Sequence, residues 1–388
     1  MRSLILSILI LVFCQQVQAQ QLSDQAKVSL LTCDPGSALY SAFGHSALRV
    51  HDPVMGLDLV FNYGTFDFNA PGFYVNFVRG KLNYFLAVNN YENFYRAYYR
   101  EQRSMREQVL NLSEDQKQEV FDFLMINAQE ENRYYQYDFF FDNCATRIRD
   151  VLQTVLGDRL KIPVQESDKT FRNLIDEYLG NMPWADFGID LALGSVIDEV
   201  ATSEEAMFLP DYMESGFAEA SIVGDGPTRP LVASQEVIFD FEPVNESSLL
   251  VSPRIFWILL LIGVVLSYVS FKRNRIFRGF DIAWTLAYGL LGLLVAFLWF
   301  GTDHQATAGN WNILWAMPTH LLLAVALIRN KPLAWLSKYL LGAIIIVDAA
   351  LLVWVFGVQS YHAVALPLIV LALLRLYVLY SRWLPRLK

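Results

Sequence analysis

Apolar residues are distributed in two different ways along this chain, and the change falls near residue 253. Before that point they form short runs separated by turn residues. After it, five apolar runs are each about long enough to cross a bilayer as a helix, at 255–271, 280–300, 313–328, 336–357 and 363–380. The pattern predicts a globular domain followed by an all-α bundle of five transmembrane helices.

Shorter patterns predict the elements of the first region. Alternating apolar and polar residues bounded by turn residues predict strands at 28–32, 46–51, 57–65, 82–88 and 106–112. We expect the second and third to form a hairpin around 52–56, and the last to pair with 82–88. Helices are predicted at 113–128, 144–156, 170–179, 191–200 and 211–220. This is an α+β pattern without the regular alternation of a doubly wound sheet.

The first 19 residues have the pattern of a secretory signal peptide. Arg2 precedes an apolar run, and the sequence VQA at 17–19 has the small final residue of a cleavage site before Gln20. We therefore expect the region that follows to be exported.

Charge separates the same two regions and orients the second. The whole chain has 30 Lys or Arg and 39 Asp or Glu, but from Arg254 onward there are 12 basic residues against 3 acidic ones. Basic residues follow the first, third and fifth apolar runs, and the other two connections have none. By the positive-inside rule these basic segments are cytoplasmic, which leaves the region before Arg254 on the opposite side, in agreement with the signal peptide.

The predicted organisation therefore has four parts. They are a signal peptide at 1–19, an exported domain at 20–223, a strand and linker segment at 224–252, and a transmembrane domain at 253–388.

The strongest candidate for chemistry is Cys144, which follows the helix-capping residue types Asp142 and Asn143. The helix that begins there has apolar residues at 3.6-residue spacing. A cysteine in the first turn is close to the positive end of the helix dipole, which favours the thiolate. The unpaired N–H groups of that turn are also candidates to bind an oxyanion. The alternative is that Cys144 is only a small buried residue.

A nucleophilic cysteine needs a base, and the exported domain offers His45 and His51. His51 lies six residues farther along a strand, about 20 Å away, at a turn that suits a solvated histidine. We therefore favour His45, which Gly44 precedes. The orienting group is expected from the next strand, where Asn62 and Asp67 are the polar candidates, and we choose Asn62.

Cys33 allows a different interpretation. Two cysteines in an exported domain often form a disulfide, so a Cys33–Cys144 bridge is an alternative to a nucleophile. The spacing of the cysteines and histidines lacks the close pairs of a structural zinc site. We expect neither a metal nor a cofactor.

At this point the residues carry a resemblance. The order of histidine, polar residue and cysteine is similar to that of the circularly permuted papain-like superfamily of cysteine hydrolases and acyltransferases. More closely, FGHSALRV at 43–50, FNYGTFDF at 61–68 and DNCATR at 142–147, with the five-run tail, resemble the Bacteroidota-type lipoprotein N-acyltransferase (Lnb-like) family.

The resemblance implies a fold, a reaction and a location. His45 and Cys144 match the catalytic pair of that family, whereas the third residue is not assigned by it. The implied reaction moves an acyl chain from a membrane phospholipid, through a cysteine thioester, to the amine of a diacylated lipoprotein. The expected partners are therefore the phospholipid donor, the lipoprotein acceptor and the bilayer, and no nucleic acid. The protein would lie in the inner membrane with its catalytic domain in the periplasm.

Two other functions remain open. A membrane-anchored cysteine peptidase or amidase acting on the cell envelope would use the same pair of residues. A non-enzymatic envelope anchor would instead have the disulfide. The polar loop at 301–312 is expected to contact a lipid headgroup or the substrate, or simply water, and Asp348 within an apolar run suggests function because a charge is costly there.

Overall fold

The computed structural model describes residues 21–165, 167–224, 226–242, 252–331 and 333–386. The predicted signal peptide and residues 243–251 of the predicted strand and linker segment lie outside the described residues.

The first region is built on an antiparallel sheet. Within the described residues its strands are β1 (Lys27–Cys33), β2 (His45–Asp52), β3 (Leu57–Thr65), β4 (Asn83–Asn90), β5 (Met105–Leu110), β6 (Tyr134–Gln136) and β10 (Val232–Phe239). Their order across the sheet is β10-β5-β1-β2-β3-β4-β6. A small second sheet contains β7 (Leu160–Lys161), β8 (Ser221–Ile222) and β9 (Arg229–Pro230).

The pairing of these strands agrees in part with the sequence pattern. β2 and β3 form the predicted hairpin, with Leu48 opposite Phe61 and Asp52 opposite Leu57. The prediction that 106–112 pairs with 82–88 is wrong, because β5 lies between β1 and β10. The chain distance between β5 and β10 exceeds 100 residues, and local alternation of apolar residues contains no information about such a pairing.

Helices pack on both faces of this sheet. They are α1 (Phe73–Val78), α2 (Tyr91–Arg100), α3 (Glu114–Asn127), α4 (Cys144–Leu156), α5 (Phe171–Leu179), α6 (Pro183–Ala192) and α7 (Pro210–Glu219). The helix predicted at 113–128 is present as α3, and a capping box of Ser113 and Gln116 lies at its start. The helix predicted at 191–200 is wrong, since α6 begins eight residues earlier, with Pro183 in its first turn. Proline is favoured there because its missing N–H would be unpaired in any case.

The core of this domain lies between α4 and the sheet. Ile148, Val151 and Leu152 form a buried stripe on α4, which packs against β2 and β3. Full burial of an aliphatic side chain contributes roughly 1.5–3 kcal/mol, so this stripe fixes the position of the helix and of the cysteine at its start.

The second region is helical. Its helices are α8 (Ile255–Lys272), α9 (Arg278–Gly301), α10 (His320–Arg329), α11 (Leu336–Val355) and α12 (Ala365–Val378). Four of the described helices are long and apolar enough to cross a membrane. They are α8, α9, α11 and α12, the last taken together with its continuation to Trp383.

The third apolar run does not form the predicted spanning helix. Residues 313–328 are divided between a short 3-10 turn, a connection that contains Pro318, and α10, which has ten residues. At 1.5 Å per residue α10 is about 15 Å long, half of a bilayer core. The carbonyl of Ala316 packs directly against Gly292 of α9, where a Cβ atom would lie 1.8 Å from the carbonyl oxygen. Non-helical backbone at this depth is tolerated because it is buried in protein.

The two regions are joined by hydrogen bonds to the end of α6. Asn310 donates to the carbonyls of Leu191 and Ala192, Asn312 donates to that of Asp190, and Gln359 donates to that of Leu193. These are the last carbonyls of a helix, which have no partner within the helix itself. Side-chain amides of the membrane domain therefore cap a helix of the first domain.

Candidate active site

Cys144 lies at the first position of α4, in a turn that is fixed by its neighbour. The side chain of Asn143 accepts from the N–H groups of Ala145 and Thr146, and Thr146 Oγ1 accepts from Asn143 N–H in return. The amide of Asn143 also donates to the carbonyls of Phe139 and Phe208. Asn143 thus connects the start of α4 to the segments on either side of it. The sequence indicated this cap, but not the two carbonyl contacts.

The structure brings His45 and Asn62 together beside Cys144. His45 Nε2 lies 2.6 Å from Asn62 Oδ1, and His45 is also hydrogen-bonded to Cys144. Because a carbonyl oxygen only accepts, Nε2 carries a proton in this arrangement, which leaves Nδ1 for the cysteine. Cysteine, histidine and asparagine are also the residue types that act together in papain-like proteases.

The other candidates are placed elsewhere. Asp67 is exposed, and its carboxylate accepts from Asn69 N–H in a turn. His51 is at the far end of β2, opposite Asp58 of β3. Asn62 rather than Asp67 is therefore the residue placed against His45, and its catalytic role remains a prediction.

Two glycines allow neighbouring segments to approach each other closely around the site. Gly64 has φ +81°, and a Cβ atom there would lie 3.5 Å from the Cβ atom of Cys144. Gly44 has φ +76°, and a Cβ atom there would lie 2.9 Å from the carbonyl oxygen of Cys33. Such backbone angles are costly for other residues. The neighbour that Gly44 admits is β1, through the carbonyl of Cys33.

A bulge in β3 directly follows Asn62. The register between β3 and β4 shifts between Asn62 and Thr65, and Thr65 Oγ1 donates to the Asn62 carbonyl. A bulge changes the direction in which nearby side chains point. The bulge contains Gly64, the residue that approaches Cys144 at the start of α4.

The environment favours a thiolate–imidazolium pair. Burial raises the pKa of the Cys144 thiol, but the charge and hydrogen bond of His45, with the N–H groups of Ser46 and Ala145, lower it below its usual value overall. Burial lowers the pKa of His45, but the charge and hydrogen bond of Cys144 and the hydrogen bond of Asn62 raise it overall. Each group stabilises the charged form of the other, so a reactive thiolate is favoured although the site is buried.

Cys33 has the opposite electrostatic environment. It is a free thiol, as is Cys144, so the structure contradicts the disulfide interpretation. It lies opposite His45 in the register of β1 and β2, but its side chain is fully buried. Burial raises the pKa of Cys33 far above its ordinary value, and neighbouring charges offset only part of the effect. This cysteine is placed to pack in the core and not to react.

Donors for an oxyanion are fewer than the sequence suggested. Two of the first-turn N–H groups, those of Ala145 and Thr146, already donate to Asn143. The backbone nitrogen of Cys144 precedes both, and it lies close to Gly64, 4.0 Å from the position that a Cβ atom of that glycine would occupy. The N–H of Cys144 is therefore the first-turn donor best placed for an oxyanion.

A large apolar cavity opens at the cysteine. Its volume is about 510 Å³, within the range of small-molecule sites. Besides His45, Asn143 and Cys144 it is lined by residues that are mostly aromatic or aliphatic: Leu39, Tyr40, Phe43, Phe66, Phe68, Phe73, Tyr74, Phe77, Leu82, Tyr84, Tyr137, Phe139, Phe208 and Pro210. The aromatic stretches at 73–85 and 134–141 both contribute to this lining.

The membrane domain also contributes to the cavity, through His304. Its ring lies 3.1 Å from the carbonyl oxygen of Phe77, and Asp303 N–H donates to the carbonyl of Arg79. The loop at 301–312 thus has two roles. Its first residues contact α1, whereas Asn310 and Asn312 are buried against α6, so the expectation of a headgroup or water contact is wrong for these two asparagines.

Two further charged positions lie away from the cysteine. Asp348 is exposed on α11 and does not line the cavity. Asp186, Asp190 and His362 are close enough to share a cation, but His362 pairs with Asp186 at 3.3 Å, and Asp190 is bound by Arg172. Protein partners thus already satisfy this group.

Two family models match the chain. The model described as the Lnb N-terminal periplasmic domain matches residues 13–177, which include the three residues placed together at the site. The model described as the Lnb transmembrane domain matches residues 244–384. No curated protein and no solved structure matches the chain. The two matches and the apolar helices indicate a multi-pass membrane protein with a periplasmic domain.

Proposed function

This chain belongs to the Lnb family, and on that basis we propose that it is a lipoprotein N-acyltransferase of the inner membrane. It moves a fatty acyl chain from a membrane phospholipid to the N-terminal amine of a diacylglyceryl-cysteine lipoprotein. The observation that carries this proposal is the Cys144–His45–Asn62 group, in which Cys144 and His45 line an apolar cavity that the membrane domain also helps to line.

In the first half of the proposed reaction Cys144 is acylated. The thiolate attacks the ester carbonyl of the phospholipid, and the N–H of Cys144 stabilises the oxyanion that forms. The ester C–O bond then breaks, and the imidazolium of His45 donates its proton to the leaving alcohol. The products of this half are a Cys144 thioester and a lysophospholipid, and His45 is left neutral.

In the second half the lipoprotein amine attacks the thioester. Neutral His45 accepts a proton from the attacking amine, and the C–S bond breaks to give an amide and the Cys144 thiolate. The thiolate and the imidazolium are then restored together. Asn62 keeps the imidazole ring in one orientation through both halves, since it accepts from Nε2 and leaves Nδ1 for the sulfur.

The cavity supports acyl transfer over peptide hydrolysis. A peptidase or amidase needs polar groups along its cleft to pair with the backbone of its substrate, because an unpaired amide is costly to bury. The lining here is dominated by aromatic and aliphatic side chains, which suit an acyl chain. The disulfide that a non-enzymatic anchor would need is also not formed between Cys33 and Cys144.

The test is mass spectrometry of a reporter lipoprotein in cells that lack their own N-acyltransferase. We expect the N-terminal lipopeptide to be acylated on its α-amine with the intact protein and with Cys33→Ala, and to keep a free amine with Cys144→Ala. Matched membrane levels of the three proteins are the control. A free amine with the intact protein at such levels would refute acyl transfer and favour the peptidase.

A further inference from the structure

Helix α1 and a nearby turn expose apolar side chains at the mouth of the cavity. In α1, Phe73 points inward, but Tyr74 and Val75 are 75% and 61% exposed, and Phe77 and Val78 are also exposed. Across the described part of the exported domain most large apolar side chains are buried in the core, so this concentration on one six-residue helix is unusual. Exposed apolar patches of this kind mark sites of protein or membrane contact.

The same surface continues beyond the helix. Leu39 and Tyr40 begin a short 3-10 turn, and Phe68 lies in the loop before α1; all three are exposed and line the cavity. We call α1 with Leu39, Tyr40 and Phe68 the cavity rim. The rim is therefore apolar both on its outer surface and where it faces the site.

The rim is attached to the end of a membrane-spanning helix. Asp303 and His304 follow α9 by two and three residues, and they hydrogen-bond the carbonyls of Arg79 and Phe77 at the end of α1. The end of α9 at Gly301 is opposite to its start at Arg278, which belongs to a basic segment that the positive-inside rule predicts to be cytoplasmic. The rim thus lies at the outer surface of the membrane, at the level where a spanning helix leaves it.

Charge at the rim fits the same surroundings. Arg79 is exposed directly after α1, and Lys81 pairs with Asp303 at 3.5 Å. Basic side chains beside an apolar helix face are the composition of an interfacial element, in which apolar residues enter the acyl region and cations stay among the headgroup phosphates. Contact with water would not explain this arrangement. Contact with lipid explains both the exposed apolar side chains and the basic side chains beside them.

We propose that the cavity rim is inserted in the outer leaflet of the inner membrane, so that the cavity opens sideways to lipid. The occupant of the rim is a phospholipid, with its chains against Tyr74, Val75 and Val78 and its phosphate near Arg79. In the reaction proposed above, on which this last step rests, the acyl donor passes from the leaflet along the rim to Cys144 without crossing water.

Membrane contact can be measured without any catalysis. The full chain carries Cys144→Ala and Val75→Cys, and the cysteine at position 75 is labelled with an environment-sensitive fluorophore. The labelled protein is placed in vesicles of phosphatidylethanolamine and phosphatidylglycerol. Val54→Cys is the matched control, because Val54 is 60% exposed but lies at the β2–β3 turn. We expect nitroxides on the acyl chains to quench the label at 75 at least about twofold more than the label at 54.

Equal quenching at the two positions would overturn the proposal. So would a label at 75 that is shielded from water but not quenched by lipid, because that result would mean that a protein covers the rim. Neither outcome depends on whether the protein transfers acyl chains, so this measurement separates the rim from the proposed function.

A second experiment connects the rim to the reaction. The rate of Cys144 acylation is measured with a vesicle phospholipid and with a water-soluble short-chain ester, for the intact chain, Val75→Glu/Val78→Glu and Val54→Glu. Neither valine of the double variant lines the cavity. We expect the vesicle-to-soluble rate ratio to fall at least tenfold in the double variant and to change less than twofold in the control. An unchanged ratio, including one in which both rates fall together, would contradict lateral entry.

Discussion

The end of β1 and the start of α4 both present a buried cysteine near His45, yet they give it opposite chemistry. Cys33 and Cys144 are free and almost without solvent contact, so burial raises the pKa of both thiols. At Cys144 a partner imidazole and two backbone N–H groups reverse the effect, whereas at Cys33 the compensation is incomplete. The comparison teaches that the first turn of a helix and a directly bonded base, not exposure, distinguish a candidate nucleophile from a core residue.

The strongest way to test this comparison is to remove each sulfur. We expect Cys144→Ala to lower acyl transfer at least about a thousandfold, because no other group can form the thioester. Cys33→Ala should leave the transfer rate within about threefold and lower the free energy of unfolding by about 1–2 kcal/mol, the cost of a small cavity. The measurements are initial rates of reporter acylation and thermal unfolding in detergent. A thousandfold loss in Cys33→Ala, with folding intact, would reverse the assignment.

Alkylation compares the two thiols within one protein. In the native state at mildly acidic pH we expect iodoacetamide to modify Cys144 at least about a hundredfold faster than Cys33, since only the thiolate reacts. The site of modification is read by peptide mass spectrometry. In denaturant the two rates should converge, which provides the control. Comparable native rates would mean that the His45 contact does not lower the pKa of Cys144.

The surroundings of Cys144 also show which parts of the site could be predicted from the sequence. Capping residues and an apolar stripe placed the start of α4 correctly, because both are local signals. The scarcity of histidine selected His45, and the structure places this residue beside Cys144. These predictions needed only neighbours in the chain or a count of residue types.

Other parts of the site depend on contacts between distant segments, and the sequence did not reveal them. The cavity combines Tyr40, Phe208 and His304, which come from three separate parts of the chain. The sequence favoured Asn62 over Asp67, but it did not reveal the bulge that follows Asn62 in β3, which local alternation cannot locate. The third apolar run did contain a signal of its break, Pro318 after two asparagines. The prediction of a spanning helix there rested on hydropathy alone.

Asn62 provides a test of intermediate size. Its hydrogen bond helps to raise the pKa of His45, so Asn62→Ala should lower that pKa and also loosen the ring. We expect transfer to fall about tenfold to a hundredfold, as for other losses of alignment. The rate should rise with pH as Cys144 ionises, at a pKa below that of a free thiol, and fall at higher pH as the raised pKa of His45 is passed. In Asn62→Ala the alkaline fall should move to lower pH.

Asp67→Ala is the control for this change, because Asp67 only supports a turn. Its pH profile should match that of the intact protein. If Asp67→Ala moved the alkaline limb and Asn62→Ala did not, the orienting residue would have to be reassigned.

The smallest expected effect tests whether the two cysteine environments are independent. Tyr98 lies between them, since its hydroxyl bonds Cys33 and its ring is nearly parallel to that of His45, with centroids 6.4 Å apart. Tyr98→Phe removes the hydroxyl but keeps the ring, so transfer should change less than about twofold, and Cys33 should stay unreactive because that hydrogen bond lowers its pKa. Tyr98→Ala removes the ring as well and should reduce transfer more. If Tyr98→Phe alone lowered transfer tenfold, the hydroxyl would couple the two sites, and Cys33 would belong to the catalytic environment rather than to the core.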